Sequence, residues 1–362
     1  MAPSPSLGCA LPAAIATARE ETLMPDPSPA VPGFPIDRWK PARTFPETYP
    51  GECPSGPYLL CEDTVRPIVG DGPGGHYEID APQGRIPLET ALARLGLPGL
   101  AERFPVLAYG ANRNPATLRM KLANYNYEPP NGVDSWIPML SGRIAGADIA
   151  VCGPHGHGYF YGELLMDERF TADTVLDVHV CLADRDLLRV LNASEGVTTG
   201  MYALASVSGV ELTGGASLRS TLGYIAQAPV WRSPRYRSPV SYAVSTASNR
   251  TLPALTSRAI MEHVLDTLGL RGKVSALSGL PDDAALASAL ASYLNEQWWR
   301  EFNGTGPATP AYHEILEALR SGMAGDGLTP RTLDHLARLG RVLPTERADD
   351  PGPAHTWAAL RT

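Results

Sequence analysis

No apolar run in the 362 residues reaches the ~20 positions that a membrane-spanning helix needs, so no transmembrane segment is expected. Positive charge is scarce. The 30 Lys and Arg against 38 Asp and Glu leave a net charge of −8, which argues against a generally basic nucleic-acid binder. Arg232, Arg235 and Arg237 lie close together but read as a short solvated cluster. Cysteine is sparse. Cys9, Cys53, Cys61, Cys152 and Cys181 are odd in number, contain no CxxC pair, and read as free thiols rather than a disulfide frame or a zinc site. The GxGxxG, G-x-S-x-G and Walker patterns are all missing, which removes the usual dinucleotide, serine-hydrolase and phosphate-loop readings. The apolar stretch from Leu7 to Ala18 lacks the basic start of a secretory signal and runs into Arg19, Glu20 and Glu21. A cytoplasmic protein is expected, with neither nucleic acid nor membrane as partner.

What is present is a chain with 44% hydrophobic residues, enough for a packed core. Its 35 Gly and 35 Pro imply many turns and linkers. The length fits two domains, or one domain with large extensions. Residues 1–50 are rich in Pro, Ser, Thr and Ala and read as a flexible arm, within which Met24 could also begin translation. Residues 51–104 form an N-terminal extension, with two short helical pieces between Ile86 and Phe104 broken by Gly96-Leu97-Pro98-Gly99.

Residues 105–248 read as a strand-dominated α+β domain, a mixed barrel or curved sheet with inserted helices. Strands are expected at Val106 to Tyr109, Ile144 to Val151, Tyr159 to Leu165, Val175 to Leu182, Met201 to Val210 and Leu218 to Ala226. Asn114 and Pro115 suit the start of a helix through Leu122. Asp184 suits the cap of a second helix, with Leu187, Leu188 and Leu191 on one face. Residues 249–362 read as a helical C-terminal extension. Its apolar stripes are Ile260/Val264/Leu265/Leu268, Leu286/Leu290/Tyr293/Leu294, Ile315/Leu316/Leu319 and Leu333/Leu336/Leu339.

Three places carry candidate chemistry. The turn Tyr109-Gly110-Ala111-Asn112 would present backbone N–H groups to an anion or a developing oxyanion. Glu195 ends the Asp184 helix just before Gly196. There the helix dipole and burial would both raise its pKa and suit it to act as a base. Tyr236, in Ser233-Pro234-Arg235-Tyr236, could orient a substrate through its phenol. Taken singly, each is better explained by an ordinary turn, a solvated glutamate or a loop aromatic. His155 and His157, in Pro154-His155-Gly156-His157-Gly158, have no third metal ligand in sight and read as an exposed loop. Trp298 and Trp299 read as packing between helices.

Together the segments carry a resemblance. VLAYGAN from Val106 to Asn112, LLRVLNASEGVTTGMY from Leu187 to Tyr202, and SPRY from Ser233 to Tyr236 resemble three motifs of the γ-glutamylcyclotransferase-like family, in the family's order and near its spacing. The resemblance spans roughly residues 104–245. Ala111 departs from it, standing where the family often has Ser. It implies a metal-free, cofactor-free reaction in which the α-amine of a γ-glutamyl group attacks its own γ-carbonyl, giving 5-oxoproline and a released amine or amino acid. Glu195 would be the general acid/base, and Tyr109, Gly110, Ala111, Asn112 and Tyr236 would bind the substrate. Two alternatives stay open: an inactive binding or scaffold module of the same fold, and a biosynthetic acyl-removing enzyme using the same carboxylate.

Overall fold

The computed structural model describes residues 33–70, 76–81, 84–128, 135–324 and 332–360. It is an α+β structure. The strands along the main path of the larger sheet are β1 (Tyr58–Cys61), β2 (Thr64–Val69), β3 (Glu78–Ala81), β4 (Gly84–Pro87), β5 (Phe104–Ala108), β6 (Trp136–Ala145), β9 (Val175–Ala183), β10 (Tyr202–Val207) and β11 (Thr221–Ala226). Between β6 and β9 the chain forms β7 (Asp148–Pro154) and β8 (Phe160–Leu165), which belong to a second sheet with Ser241–Tyr242 and Ala254–Leu255. The main sheet runs β10-β11-β5-β9-β6-β1-β2-β3-β4. Only β5 and β11 pair in parallel along this path, with Leu222 opposite Val106.

Besides the single turns Glu168–Thr171 and Trp357–Leu360, the helices are α1 (Leu88–Arg94), α2 (Pro115–Asn124), α3 (Arg185–Ser194), α4 (Ser257–Thr267), α5 (Arg271–Ser278), α6 (Leu286–Phe302), α7 (Pro310–Met323) and α8 (Thr332–Arg338). Among the described residues, no helix is long and apolar enough to cross a membrane. Strand alternation sends neighbouring side chains to two cores. Val106 and Ala108 pack with Leu118 and Leu122 of α2 and Leu187 and Leu191 of α3. Leu107, Leu140 and Val180 belong to the core that also holds Ile260, Leu290 and Ile315 of the later helices.

Most expected elements form, with shifted ends. The run Ile144 to Val151 is not one strand. Gly146 adopts φ +71°, the chain turns there, and β6 and β7 enter different sheets. Met201 to Val210 likewise breaks at Gly209, φ +85°, into β10 and Val210–Leu212. Of the arm expected over residues 1–50, positions 1–32 lie outside the described residues, and Cys9 with them. Residues 33–50 pack onto the body, with Trp39, Ala42 and Tyr49 buried. Asn114 holds this strap, its Nδ2 donating to the carbonyls of Lys40 at 3.0 Å and Glu52 at 2.9 Å. None of Cys53, Cys61, Cys152 and Cys181 is in a disulfide.

Candidate active site

Strand β5 lies between β11 and β9, and its end delivers Tyr109 and Gly110 to the edge of the sheet. The chain then makes a single 3₁₀ turn, Ala111–Arg113, before α2 begins. Asn114 caps α2 by accepting from the Thr117 N–H at 2.9 Å, with Pro115 at the first helical position. Asp184 caps α3 in the same way, accepting from Leu187 N–H at 2.8 Å. Gly196 ends α3 in the left-handed region at φ +63°, and the Val197 N–H closes back on the Asn192 carbonyl at 3.0 Å. A Cβ at Gly196 would also crowd Thr199 Oγ1 at 2.7 Å. These local rules stop the helix at the position that leaves Glu195 facing the β5 turn.

The two motifs meet in one cleft. Its lining includes Arg43, Tyr109, Gly110, Ala111, Asn112, Lys121, Tyr159 and Glu195. Asn112 Nδ2 donates to Glu195 Oε1 at 3.0 Å, and Lys121 Nζ donates to Asn112 Oδ1 at 2.7 Å. Lys121 Nζ also forms an ion pair with Glu195 Oε1. Both contacts fall on Oε1, so Oε2 has no hydrogen-bond partner among the described residues. The pair is mostly enclosed, with side-chain exposures of 5% for Lys121 and 14% for Glu195.

The electrostatics correct one expectation. Burial is the largest single influence on Glu195 and pushes its pKa up. Lys121, Asn112 and Arg43 together outweigh burial and hold the carboxyl below its ordinary range. The Lys121 ammonium is also held down, first by burial and then by Arg43, against the opposing pull of Glu195. The raised Glu195 expected from the helix end is therefore absent, because a buried cation sits on the carboxylate. Tyr109 is buried and its phenol, pushed up by desolvation, donates to the Tyr224 carbonyl. Tyr224 in turn donates to Asn192 Oδ1 at 2.8 Å, and Asn192 to Asp349 Oδ1 at 2.8 Å.

Tyr236 is not brought to the cleft. It lies 38% exposed on the turn between Arg232–Ser233 and Ser238–Pro239, with its ring 4.9 Å from His263. Ser233 Oγ anchors this turn to His263 Nε2 on α4 at 2.7 Å. The phenols on the cleft wall are instead Tyr49, Tyr109, Tyr159, Tyr161, Tyr202 and Tyr224.

The histidine loop also differs from expectation. His157 is fully buried and His155 half-buried, and the rings of His155 and His157 stack 5.0 Å apart. Tyr159 continues the stack at 4.9 Å from His155, and Tyr49 lies on Tyr159 at 4.4 Å. At the far end Trp298 of α6 lies 3.7 Å from His157. Gly156 and Gly158 permit this approach. A Cβ on either would overlap Trp298 or the Ala291 carbonyl. Among the described residues, no three His, Cys, Asp or Glu side chains gather as metal ligands would.

No family model matches the chain, and no curated protein matches it. A solved γ-glutamyl cyclotransferase is distantly similar. Its TM-score is 0.26 at 15% identity, with 60% of this chain and 99% of that one covered. An uncharacterized human protein of known structure aligns equally far, with TM-score 0.26, 16% identity and the same coverages. At those values the site stands on its own geometry.

Sequence reasoning missed Lys121, Arg43, His155 and Tyr159. Lys121 had a visible signal. It sits three residues after Leu118 and one before Leu122, on the apolar face of α2, where a lysine needs a partner. Arg43 had none, because its place is set by the packing of a strap 152 residues from Glu195.

Proposed function

We propose that the chain is an enzyme that cyclises a γ-glutamyl group to 5-oxoproline with release of an amine or amino acid, Glu195 moving the protons. The observation that supports this best is the free oxygen of Glu195 inside the cleft that the β5 turn closes. The nucleophile is already part of the substrate, so holding it in a ring-like pose supplies much of the rate.

The α-nitrogen enters as an ammonium. It loses one proton to Glu195 and attacks the γ-carbonyl carbon, and the bond to the leaving nitrogen breaks. In all, two protons leave the α-nitrogen and two arrive on the leaving amine, passing through Glu195. The depressed pKa keeps Glu195 ionised before substrate arrives, so it starts as an acceptor. Lys121 and Asn112 fix Oε1 and so aim Oε2. The amides of the Gly110–Asn112 turn would stabilise negative charge on the substrate carboxylate or on the carbonyl oxygen. The reaction calls for no cofactor.

Incubation with γ-glutamyl amino acids and γ-glutamyl amines, with 5-oxoproline as the readout, tests the proposal. Release of 5-oxoproline by Glu195→Gln at the wild-type rate would sink it. A second reading, a ligand-binding module, is favoured by the fact that Lys121 already neutralises Glu195 in the free chain. That reading expects ligand binding with no 5-oxoproline at all.

A further inference from the structure

Arg43 is 8% exposed and lines the cleft. A guanidinium stays charged at any working pH. Its side chain bonds only neutral groups, the Ser194 carbonyl at a long 3.5 Å from Nη2 and the Tyr159 phenol, and among the described residues no carboxylate lies within ion-pair reach of it. Glu195 feels Arg43 through space, but no ion pair joins the two, and its Oε1 is held by Lys121 and Asn112. A buried cation without a directly paired anion is costly, so a fold that keeps one holds it for an anion that arrives from outside.

Two neutral donors stand beside it. His155 Nδ1 accepts from the His157 backbone N–H at 3.3 Å, which places the ring proton on Nε2. No hydrogen-bond partner for Nε2 exists among the described residues, and the half-buried ring borders the cleft. Tyr159, stacked on His155, brings a phenol to the same wall.

We infer that Arg43, His155 and Tyr159 form a carboxylate-binding subsite next to Glu195, built by the 33–50 strap and the 154–159 loop. The three side chains offer donors: a planar guanidinium fork, an imidazole N–H and a phenol O–H. Such a set fits the two oxygens of a carboxylate. Burial, with Arg43, Lys121 and Arg320 nearby, holds His155 down to about 3, so the ring is neutral when a ligand binds. The subsite is braced from behind. Trp299 Nε1 donates to the Arg43 carbonyl at 3.1 Å, and His157 Nδ1 pairs with Asn295 Oδ1 at 3.0 Å, both from α6. The inference deepens the proposed function and rests on it only for which end of the ligand brings the carboxylate.

Acetate is the probe, used on the full chain by thermal shift and by histidine ¹⁵N spectra. Wild-type protein should gain Tm with acetate, and the His155 Nε2–H signal should move. Arg43→Gln should weaken acetate about 10- to 100-fold, the size expected for a charge-assisted contact. Its Tm without acetate should not fall, because a buried charge without an anion has been removed. His155→Phe keeps the stack and should weaken acetate about 5- to 10-fold, and His155→Gln, which restores an N–H at that reach, should recover most of the loss. Arg43→Lys should fall between wild type and Arg43→Gln.

Separate arms use 5-oxoproline, which carries the γ-glutamyl carboxylate, and glycine, which represents an amino-acid leaving group. Preferential weakening of either one in Arg43→Gln supports the subsite and names the source. Equal acetate affinity in Arg43→Gln and wild type, no acetate binding, a His155 proton on Nδ1, or an Arg43→Gln chain that no longer folds overturns it. Acetate binding reads this subsite whether or not the protein turns over. Loss of turnover in Glu195→Gln with acetate binding retained therefore separates the two readings.

Discussion

On one side of the cleft each piece is shaped by its neighbours in sequence, and on the other the shape is set by contacts between distant segments. The Glu195 side is made from β5, its turn, α2 and the end of α3. Each of its positions follows from a cap, a turn or a glycine stop. The Arg43 side joins residues 42–49, the 154–159 loop and α6, through contacts such as Trp299 to Arg43 that span 256 residues of chain. The first side is electrostatically closed, with a carboxylate, an ammonium and an amide satisfying one another. The second holds a cation and an aromatic stack, and among the described residues no carboxylate pairs directly with that cation. A site of this kind separates two tasks. The local side fixes the group that moves protons, and the long-range side sets what the cleft admits.

The sharpest way to break this division is Glu195→Gln, which keeps the shape and removes the base. Formation of 5-oxoproline should fall about 1,000-fold, within the range for a positioned general acid/base. Steady-state kinetics on a γ-glutamyl amine check this, and a loss under tenfold would move the proton task elsewhere in the cleft.

Lys121→Met tests whether the local side is closed by its ion pair. Stranding a mostly enclosed carboxylate should cost about 3–5 kcal/mol by urea melts near pH 7. The pH dependence carries the sign. The Glu195 carboxyl in the folded chain titrates below its unfolded range, so its contribution is present above that range and lost as pH falls through the folded value. The gap between wild type and Lys121→Met should therefore narrow below about pH 4. A gap independent of pH would assign the loss to packing.

Gly158→Ala probes the long-range side. Position 158 sits at φ +82° with the Ala291 carbonyl where a Cβ would go. A loss of about 2–3 kcal/mol is expected in thermal or urea unfolding. An unchanged Tm would mean that α6 is not held against this loop.

The smallest effect belongs to Tyr236→Phe. The ring lies on the surface by His263, away from both sides, so kcat/KM should stay within about twofold of wild type. A larger drop would bring that turn into the site.

The motifs of the Glu195 side were legible in the sequence because each is governed by a few residues in a row. Asn114-Pro115 starts a helix, Asp184 caps another, and Gly196 ends it wherever the chain later goes. The histidine loop was not legible. Alternating glycines suggest exposure until α6 is seen lying on them. The acidity of Glu195 was read in the wrong direction for the same reason. The helix end and the burial were visible, but the groups that together outweigh them come from elsewhere, Lys121 from another helix 74 positions earlier.

By itself, then, the sequence determined the helices, their caps, the glycine turn and the α+β pattern, since these follow from backbone preferences over a few neighbouring residues. Tertiary structure alone decided which charges meet Glu195, that Arg43 is enclosed with no carboxylate paired to it among the described residues, and that Tyr236 stays outside. Those outcomes depend on distances between segments far apart in the chain, and both desolvation and Coulomb forces act through space.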